Sequence, residues 1–212
     1  MPDEHKRRLI EILARRDVPL IEDDINGDLA HDGHRPRVAQ SFDRAGRVLL
    51  CGSFSKTLAP GYRVGWVAPG RYYERVKTLK LTSTLATATL PQLAIAGFVV
   101  NGGYDHHLRA LRGSFATQLQ RFSEAVAASF PADIKLTRPA GGFVLWIELP
   151  KHVCALKLHE SALAEKISIA PGPMFSAKQS FGNFIRLNCG HPWTSRMESA
   201  VGTLGRLVKR LM

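Results

Sequence analysis

One stretch governs how the rest of this chain can fold. Across residues 105–130 the apolar side chains Leu108, Leu111, Phe115, Leu119, Phe122 and Val126 step by three and four, the spacing that lays one apolar stripe along an α-helix. A helix of that length has to bury its stripe against another layer of the chain. Asn101-Gly102-Gly103 stands just ahead of it, and a cluster of that kind separates elements. The chain therefore reads as two regions, 1–102 and 103–212.

The first region begins with Pro2, which suits a helix start, and Leu9, Ile10, Ile12 and Leu13 recur at helical spacing, so a helix is expected over 3–16. Short β-rich runs follow at 18–21, 47–51 and 62–67, broken by Gly52 and by Pro60-Gly61, and helical patterns return at 72–80 and 91–100. That order suits part of an open α/β sheet. In the second region strands are expected at 134–137, 143–149, 168–170 and 184–189 around a helix at 155–166, with a last helix over 194–211. It reads as a small α+β domain.

Composition removes whole classes of answer. The 212 residues are 45% apolar and 22% charged, with 18 Gly and 12 Pro, which is globular and excludes a disordered or collagen-like chain. The apolar run at 90–100 is interrupted by Pro91, Gln92 and Gly97 and falls short of the ~18 residues of a membrane span. Residues 1–8 are charged and lack the apolar core of a signal peptide, so no membrane association and a cytoplasmic location are expected. Cys51, Cys154 and Cys189 have neither zinc-site nor disulfide spacing, and buried, reduced thiols are expected. Lys and Arg number 29 against 18 acids, a formal charge of +11, which favours anionic partners. The basic residues are scattered, and no DNA-binding module is visible in them.

The sharpest local signal is the segment Gly52-Ser53-Phe54-Ser55-Lys56-Thr57-Leu58-Ala59-Pro60-Gly61-Tyr62-Arg63-Val64-Gly65. It places a lysine between two strands, with hydroxyls three and one residues before it and an arginine seven after. Lowered in pKa by burial or a nearby cation, a lysine captures carbonyls, and short hydroxyls beside an arginine cradle a phosphate. A Schiff-base cofactor bearing a phosphate needs both. The same spacing also fits a solvated loop lysine with incidental serines. His31-Asp32-Gly33-His34 reads as a solvated turn, His106-His107 as surface, and Trp146 as core.

The lysine segment resembles the cofactor-lysine motif of class I/II, fold-type I aminotransferases, and most of all the aminotransferase-like domain of MocR-type regulators in the GntR superfamily. Further matches follow in order: Ile21-Glu22-Asp23-Asp24, Pro139-Ala140-Gly141-Gly142-Phe143 with Trp146, Ala170-Pro171-Gly172 with Phe175-Ser176, and Ile185-Arg186-Leu187-Asn188. They span nearly the whole chain. The resemblance implies an α/β fold: a partial pyridoxal 5'-phosphate (PLP) dependent transferase fold, the second half of its large-domain sheet over 1–102, then a small α+β C-terminal domain over 103–212.

It also implies roles. Lys56 would form the internal aldimine with PLP. Asp23, 33 residues earlier, would salt-bridge the pyridine nitrogen and keep it protonated, with Glu22 or Asp24 sharing the site. Ser53 and Arg63 would bind the phosphate, Ser55 being a further candidate. Arg186 would grip a substrate's α-carboxylate through a two-pronged contact. One position departs from the pattern: where close relatives have a tyrosine three residues after the aspartate, this chain has Asn26, an N–H donor of shorter reach toward the cofactor's phenolate oxygen.

The resemblance begins in the middle of the family pattern. The family's glycine-rich phosphate loop, ring-stacking aromatic and phenolate-binding asparagine would precede Met1, as would the winged helix-turn-helix through which a MocR-type protein meets DNA. A half sheet is expected to leave apolar surface exposed and the pocket incomplete. The function implied first is an effector-sensing domain of a transcription regulator that binds PLP and an amino acid or amine, homodimeric in the intact protein. A fragment of a catalytic amino acid transaminase and an inactive remnant are the alternatives.

Overall fold

In the computed structural model, which describes residues 1–212, two compact units divide the chain: Met1–Leu111 and Arg112–Met212. The first opens with α1 (Asp3–Arg15), whose acidic first turn, Asp3 and Glu4, and basic last turn, Arg15, both complement the helix dipole. Lys6 is buried beneath it and donates through Nζ to the Arg37 carbonyl. Asp17 takes the left-handed conformation after the helix. Its carboxylate accepts from Arg47 Nε and Arg71 Nη2, each at 2.9 Å, and those two guanidiniums hold it below the usual carboxylate range.

The sheet of the first unit has three strands in the order β1 (Leu20–Asp23), β2 (Val48–Ser53), β3 (Gly65–Ala68). The pair β1–β2 is parallel, with Asp23 opposite Cys51, and β2–β3 is antiparallel, with Ser53 opposite Gly65. The strand expected at 18–21 starts two residues later because Val18 donates to the Leu13 carbonyl, closing the helix, and Pro19 has no N–H for a ladder. The strand expected at 62–67 likewise starts at Gly65, since Pro60–Tyr62 forms a 3-10 turn. Two helices follow, α2 (Tyr73–Thr84) and α3 (Thr89–Val100). No residue of α2 is buried and only Ile95 of α3 is.

The long helix α4 (Gly103–Ser129) begins in the first unit and ends in the second. There a four-stranded antiparallel sheet runs in the order β4 (Lys135–Leu136), β5 (Val144–Glu148), β7 (Phe184–Asn188), β6 (Ala170–Pro171). Leu145 and Ile147 of β5 stand opposite Leu187 and Ile185 of β7. Alternation sends these four to one face, where they meet Phe122 and Val126 of α4, Leu158 of α5 (Ala155–Ala164) and Leu204 of α6 (Ser195–Arg210) in one core. Gly205 lets α6 approach closely: a Cβ there would stand 2.5 Å from the Ser129 carbonyl oxygen. Thr194 caps α6 by accepting from the Met197 N–H.

All three cysteines are free thiols, but only Cys189 is buried; Cys51 and Cys154 are half-buried. No helix is long and apolar enough to cross a membrane.

Candidate functional site

Strand geometry sorts the acidic run at the end of β1. Alternate residues face opposite sides, and residues in register share a side. Ile21 and Asp23 therefore share a face with Cys51 and Ser53 of β2, while Glu22 lies on the other. The Glu22 carboxylate accepts from the Ala39 and Gln40 N–H groups at 2.6 and 3.0 Å. It is committed to holding the 3-10 turn Ala39–Phe42. Asp24 is half-buried and paired with Arg35, which also reaches Asp28. Burial raises the Asp24 carboxyl above its usual range, and the Arg35 charge partly offsets this. Asp23 stays exposed, with Oδ1 at 3.4 Å from the Ile25 N–H.

Two residues beyond Cys51, β2 ends at Ser53 and the chain turns. Ser53 Oγ lies 3.0 Å from Ser55 Oγ and accepts from the Ser55 N–H at 3.1 Å, so both hydroxyls sit together at the strand end. The Phe54 carbonyl accepts from the Leu58 and Ala59 N–H groups at 2.8 and 3.2 Å, closing a tight turn that contains Lys56. The lysine itself is exposed. Arg63 adopts φ 53°, a conformation costly for a long side chain and tolerated where surrounding structure imposes it. That reversal lets the Val64 carbonyl accept from the Phe54 N–H at 3.1 Å. The Arg63 guanidinium is 3.5 Å from the Pro60 carbonyl.

Thr57, next to Lys56, is 1% exposed. Tyr104 Oη lies 3.0 Å from Thr57 Oγ1 and 3.3 Å from Asp28 Oδ2. His107 Nε2 meets the Thr57 carbonyl at 2.8 Å. His107 is thus half-buried against the lysine turn, where a surface position was expected; His106 is exposed. The Tyr104 ring stands edge-on to Phe54 with centroids 5.9 Å apart. Tyr104 and Arg35 are unmarked in the sequence, Thr57 is marked only as part of the lysine segment and His107 only as an expected surface residue; the one available signal for the contact is that Tyr104 and His107 sit three apart on one helix face. A small cavity of about 230 Å³ lies among Asp24, Asp28, Arg35, Ser53, Trp66 and Tyr104.

Asn26 is exposed at the start of the 3-10 turn Gly27–Leu29, with its carbonyl accepting from the Leu29 N–H and no capping bond from its side chain. His31-Asp32-Gly33-His34 is a turn closed by Gly33 N–H to Ala30 carbonyl and His34 N–H to Asp32 Oδ1.

In the second unit Arg186 projects from β7 on the face opposite the core, in register with Trp146. Its guanidinium lies 4.5 Å from the Phe175 ring centre, a cation–π distance. Trp146 is half-buried rather than core: it lies 5.5, 5.7 and 5.5 Å from Phe175, Phe181 and Phe184. The guanidinium thus lies over one ring of this aromatic cluster, and Arg186 as a whole remains exposed.

The family model for aminotransferase class I and II matches residues 1–204. The HTH-type transcriptional regulator YjiR of Escherichia coli (strain K12) is 41% identical over all 212 residues of this chain, which cover 45% of it. Aromatic-amino-acid aminotransferase 1 of Thermococcus litoralis is 30% identical, again over the whole chain and 51% of its own length. Among solved structures, the multiple substrate aminotransferase of Thermococcus profundus superposes with a TM-score of 0.91 at 28% identity, over 100% of this chain and 53% of that one. The chain spans about half the length of the relatives it matches.

Proposed function

This chain belongs to the class I and II aminotransferase family, and from that premise we propose that it is the PLP-holding, effector-sensing part of a transcription regulator, with Lys56 as the cofactor lysine. The observation that carries the reading is the shared sheet face of Asp23 and Ser53 at the ends of neighbouring strands, with the Lys56 turn following directly. The regulator is favoured over the enzyme by the higher identity to YjiR than to the Thermococcus litoralis aminotransferase.

The donor set fits PLP. An amine, a carboxylate, two adjacent hydroxyls and a guanidinium stand at or just beyond the ends of β1 and β2, matching an aldehyde, a basic ring nitrogen and a phosphate. The chemistry supplied by bound PLP is electron withdrawal through a protonated ring tethered to a lysine amine. Asp23, with Glu22 committed to backbone and Asp24 to Arg35, is the carboxylate that holds a proton on the ring nitrogen. Ser53, Ser55 and Arg63 hold the phosphate. Asn26 takes the place of the phenolate donor. Arg186 takes an amino acid carboxylate in its planar fork. The domains carrying these roles are 1–102 for the cofactor and 103–212 for the carboxylate arginine, and the intact protein is a cytoplasmic homodimer.

Equilibrium dialysis with PLP tests the cofactor site. Asp23→Ala and Arg63→Ala are each expected to weaken binding about tenfold or more, since each removes a charge-assisted contact of about 1.5–3 kcal/mol. Unchanged affinity in both contradicts the reading. A second reading, a fragment of a transaminase, is favoured by the 0.91 superposition on an aminotransferase. Adding an L-amino acid to PLP-loaded protein separates the two. A sensor changes its absorbance without releasing an oxo acid, and a transaminase releases one.

A further inference from the structure

We propose that Tyr104 is the positioning residue of the lysine turn, a clamp that fixes the backbone carrying Lys56 to the turn that follows Asp23. The function of the clamp rests on the reading of Lys56 given above; its existence rests on hydrogen bonds within the first unit. Both polar ends of Thr57 are engaged from one face of α4: the side chain by Tyr104 and the carbonyl by His107, three residues on. A carbonyl cannot donate, so His107 Nε2 carries the proton in this contact. The Thr57 side chain is almost fully enclosed, and a buried hydroxyl left without a partner costs about 1–3 kcal/mol. The turn therefore cannot drift from α4 without a penalty.

Tyr104 has one proton and two oxygen neighbours, Asp28 Oδ2 and Thr57 Oγ1. The arrangement that satisfies all three groups has the phenol donating to the Asp28 carboxylate and the Thr57 hydroxyl donating to the phenol oxygen. Arg35 continues the chain by bridging Asp28 to Asp24, and the Asp24 N–H donates to the Cys51 carbonyl at 2.9 Å. An unbroken line thus runs from the residue beside Asp23 to the residue beside Lys56 through Arg35, Asp28 and Tyr104. The phenol is half-buried and its pKa is pushed up, chiefly by burial, so it remains a donor across the physiological range. Cofactor chemistry needs an amine held at a fixed separation from the ring-nitrogen carboxylate, because misplacement of about 1 Å costs on the order of a hundredfold in rate.

The test measures backbone hydrogen exchange at Leu58 and Ala59, whose amides close the turn, in the cofactor-free 212-residue chain. Tyr104→Phe keeps the ring against Phe54 and removes the hydroxyl; Thr57→Val keeps the shape and removes the other hydroxyl; Thr57→Ser keeps the hydroxyl and removes a methyl. Tyr104→Phe and Thr57→Val are each expected to speed exchange at both amides about tenfold, and the double variant no more than either alone. Thr57→Ser is expected to stay within about threefold of the parent. Space filling predicts the reverse order for Val and Ser, and that reversed order, or additive effects in the double variant, overturns the clamp. Borohydride trapping of PLP in the same variants is read separately: its yield on Lys56 should fall in the order of the exchange rates. A parent that exchanges as expected but traps no PLP on Lys56 overturns the cofactor reading and leaves the clamp established.

Discussion

The two units solve the problem of stability in different ways. The second buries nineteen residues in one cluster under a four-stranded sheet. In the first, only seven apolar side chains are buried: Leu29, Ala39, Val48, Leu50, Val64, Ile95 and Leu108. Its sheet face bearing Asp23 also shows Ile21 at 71% exposure, and α3 shows Leu90 at 80% and Val100 at 83%. The first unit also carries a set of polar ties: Glu22 on two backbone amides, Asp17 between two arginines, Arg35 between two aspartates, Thr57 between Tyr104 and His107. The unit proposed to hold the cofactor is the one with more exposed apolar surface, and the unit with the larger buried cluster carries the arginine proposed for the carboxylate.

The largest effect that could break this contrast is a core truncation. Leu145→Ala or Ile185→Ala should cost about 2–5 kcal/mol, because both side chains are fully enclosed in the second unit. Leu90→Ala and Leu93→Ala, on exposed positions of α3, should change stability by about 0.5 kcal/mol or less. Chemical denaturation of the four variants checks this, and equal losses at both places would remove the distinction.

A second test uses the thiol buried in the second unit. Burial pushes Cys189 up to about 12 from an ordinary value of 9.0. A group whose pKa is raised by folding contributes stability that is complete below its unfolded pKa and is lost as pH rises through its folded pKa. The contribution is therefore intact below pH 9 and disappears toward pH 12, at about 1.4 kcal/mol per unit of separation. Cys189→Ala should lose less stability than the parent across that window, and at pH 8 a thiol reagent should react with Cys154 long before Cys189. Parallel pH profiles would show that the thiol is not shielded.

Smaller effects sharpen the chemical side. Arg186→Lys should weaken amino acid binding to PLP-loaded protein by about tenfold, the worth of a lost two-pronged contact, and leave PLP affinity unchanged; equal amino acid affinity removes Arg186 from the site. Asn26→Tyr should lower the pH midpoint of the bound cofactor's absorbance by about one unit, since a restored donor to the phenolate is worth about 1.5–3 kcal/mol at most. No displacement of the midpoint means that Asn26 already suffices or faces elsewhere.

The legible part of the fold was the periodic part. Positions 108, 111, 115, 119, 122 and 126 mark α4 because burial on one face imposes a period, and the alternation at Leu145, Ile147, Ile185 and Leu187 marks the core strands for the same reason. Strand starts were harder, since Pro19 and the turn at Pro60–Tyr62 shift β1 and β3 toward the C-terminus through local hydrogen bonding that periodicity does not encode. At the proposed site, Lys56, Ser53 and Arg63 stand out by spacing, and Asp23 is marked only by the family resemblance. The clamp was not, because Tyr104 and Thr57 lie 47 residues apart, and a contact between single polar residues at that separation leaves no pattern in the chain. His107 misled for the same reason: a histidine beside a histidine at a helix start has the composition of a surface.

The most direct measurement of the central proposal is borohydride reduction of the chain in the presence of PLP, followed by peptide mass mapping. Hydride adds to the carbon–nitrogen double bond formed when a lysine amine condenses with the cofactor's aldehyde and the carbonyl oxygen leaves as water, so the label marks whichever lysine made that bond. The expected result is a phosphopyridoxyl group on Lys56, first and most heavily, and its loss from that peptide in Lys56→Ala. A label on Lys77, Lys135 or any other lysine, with Lys56 unmodified, would contradict it.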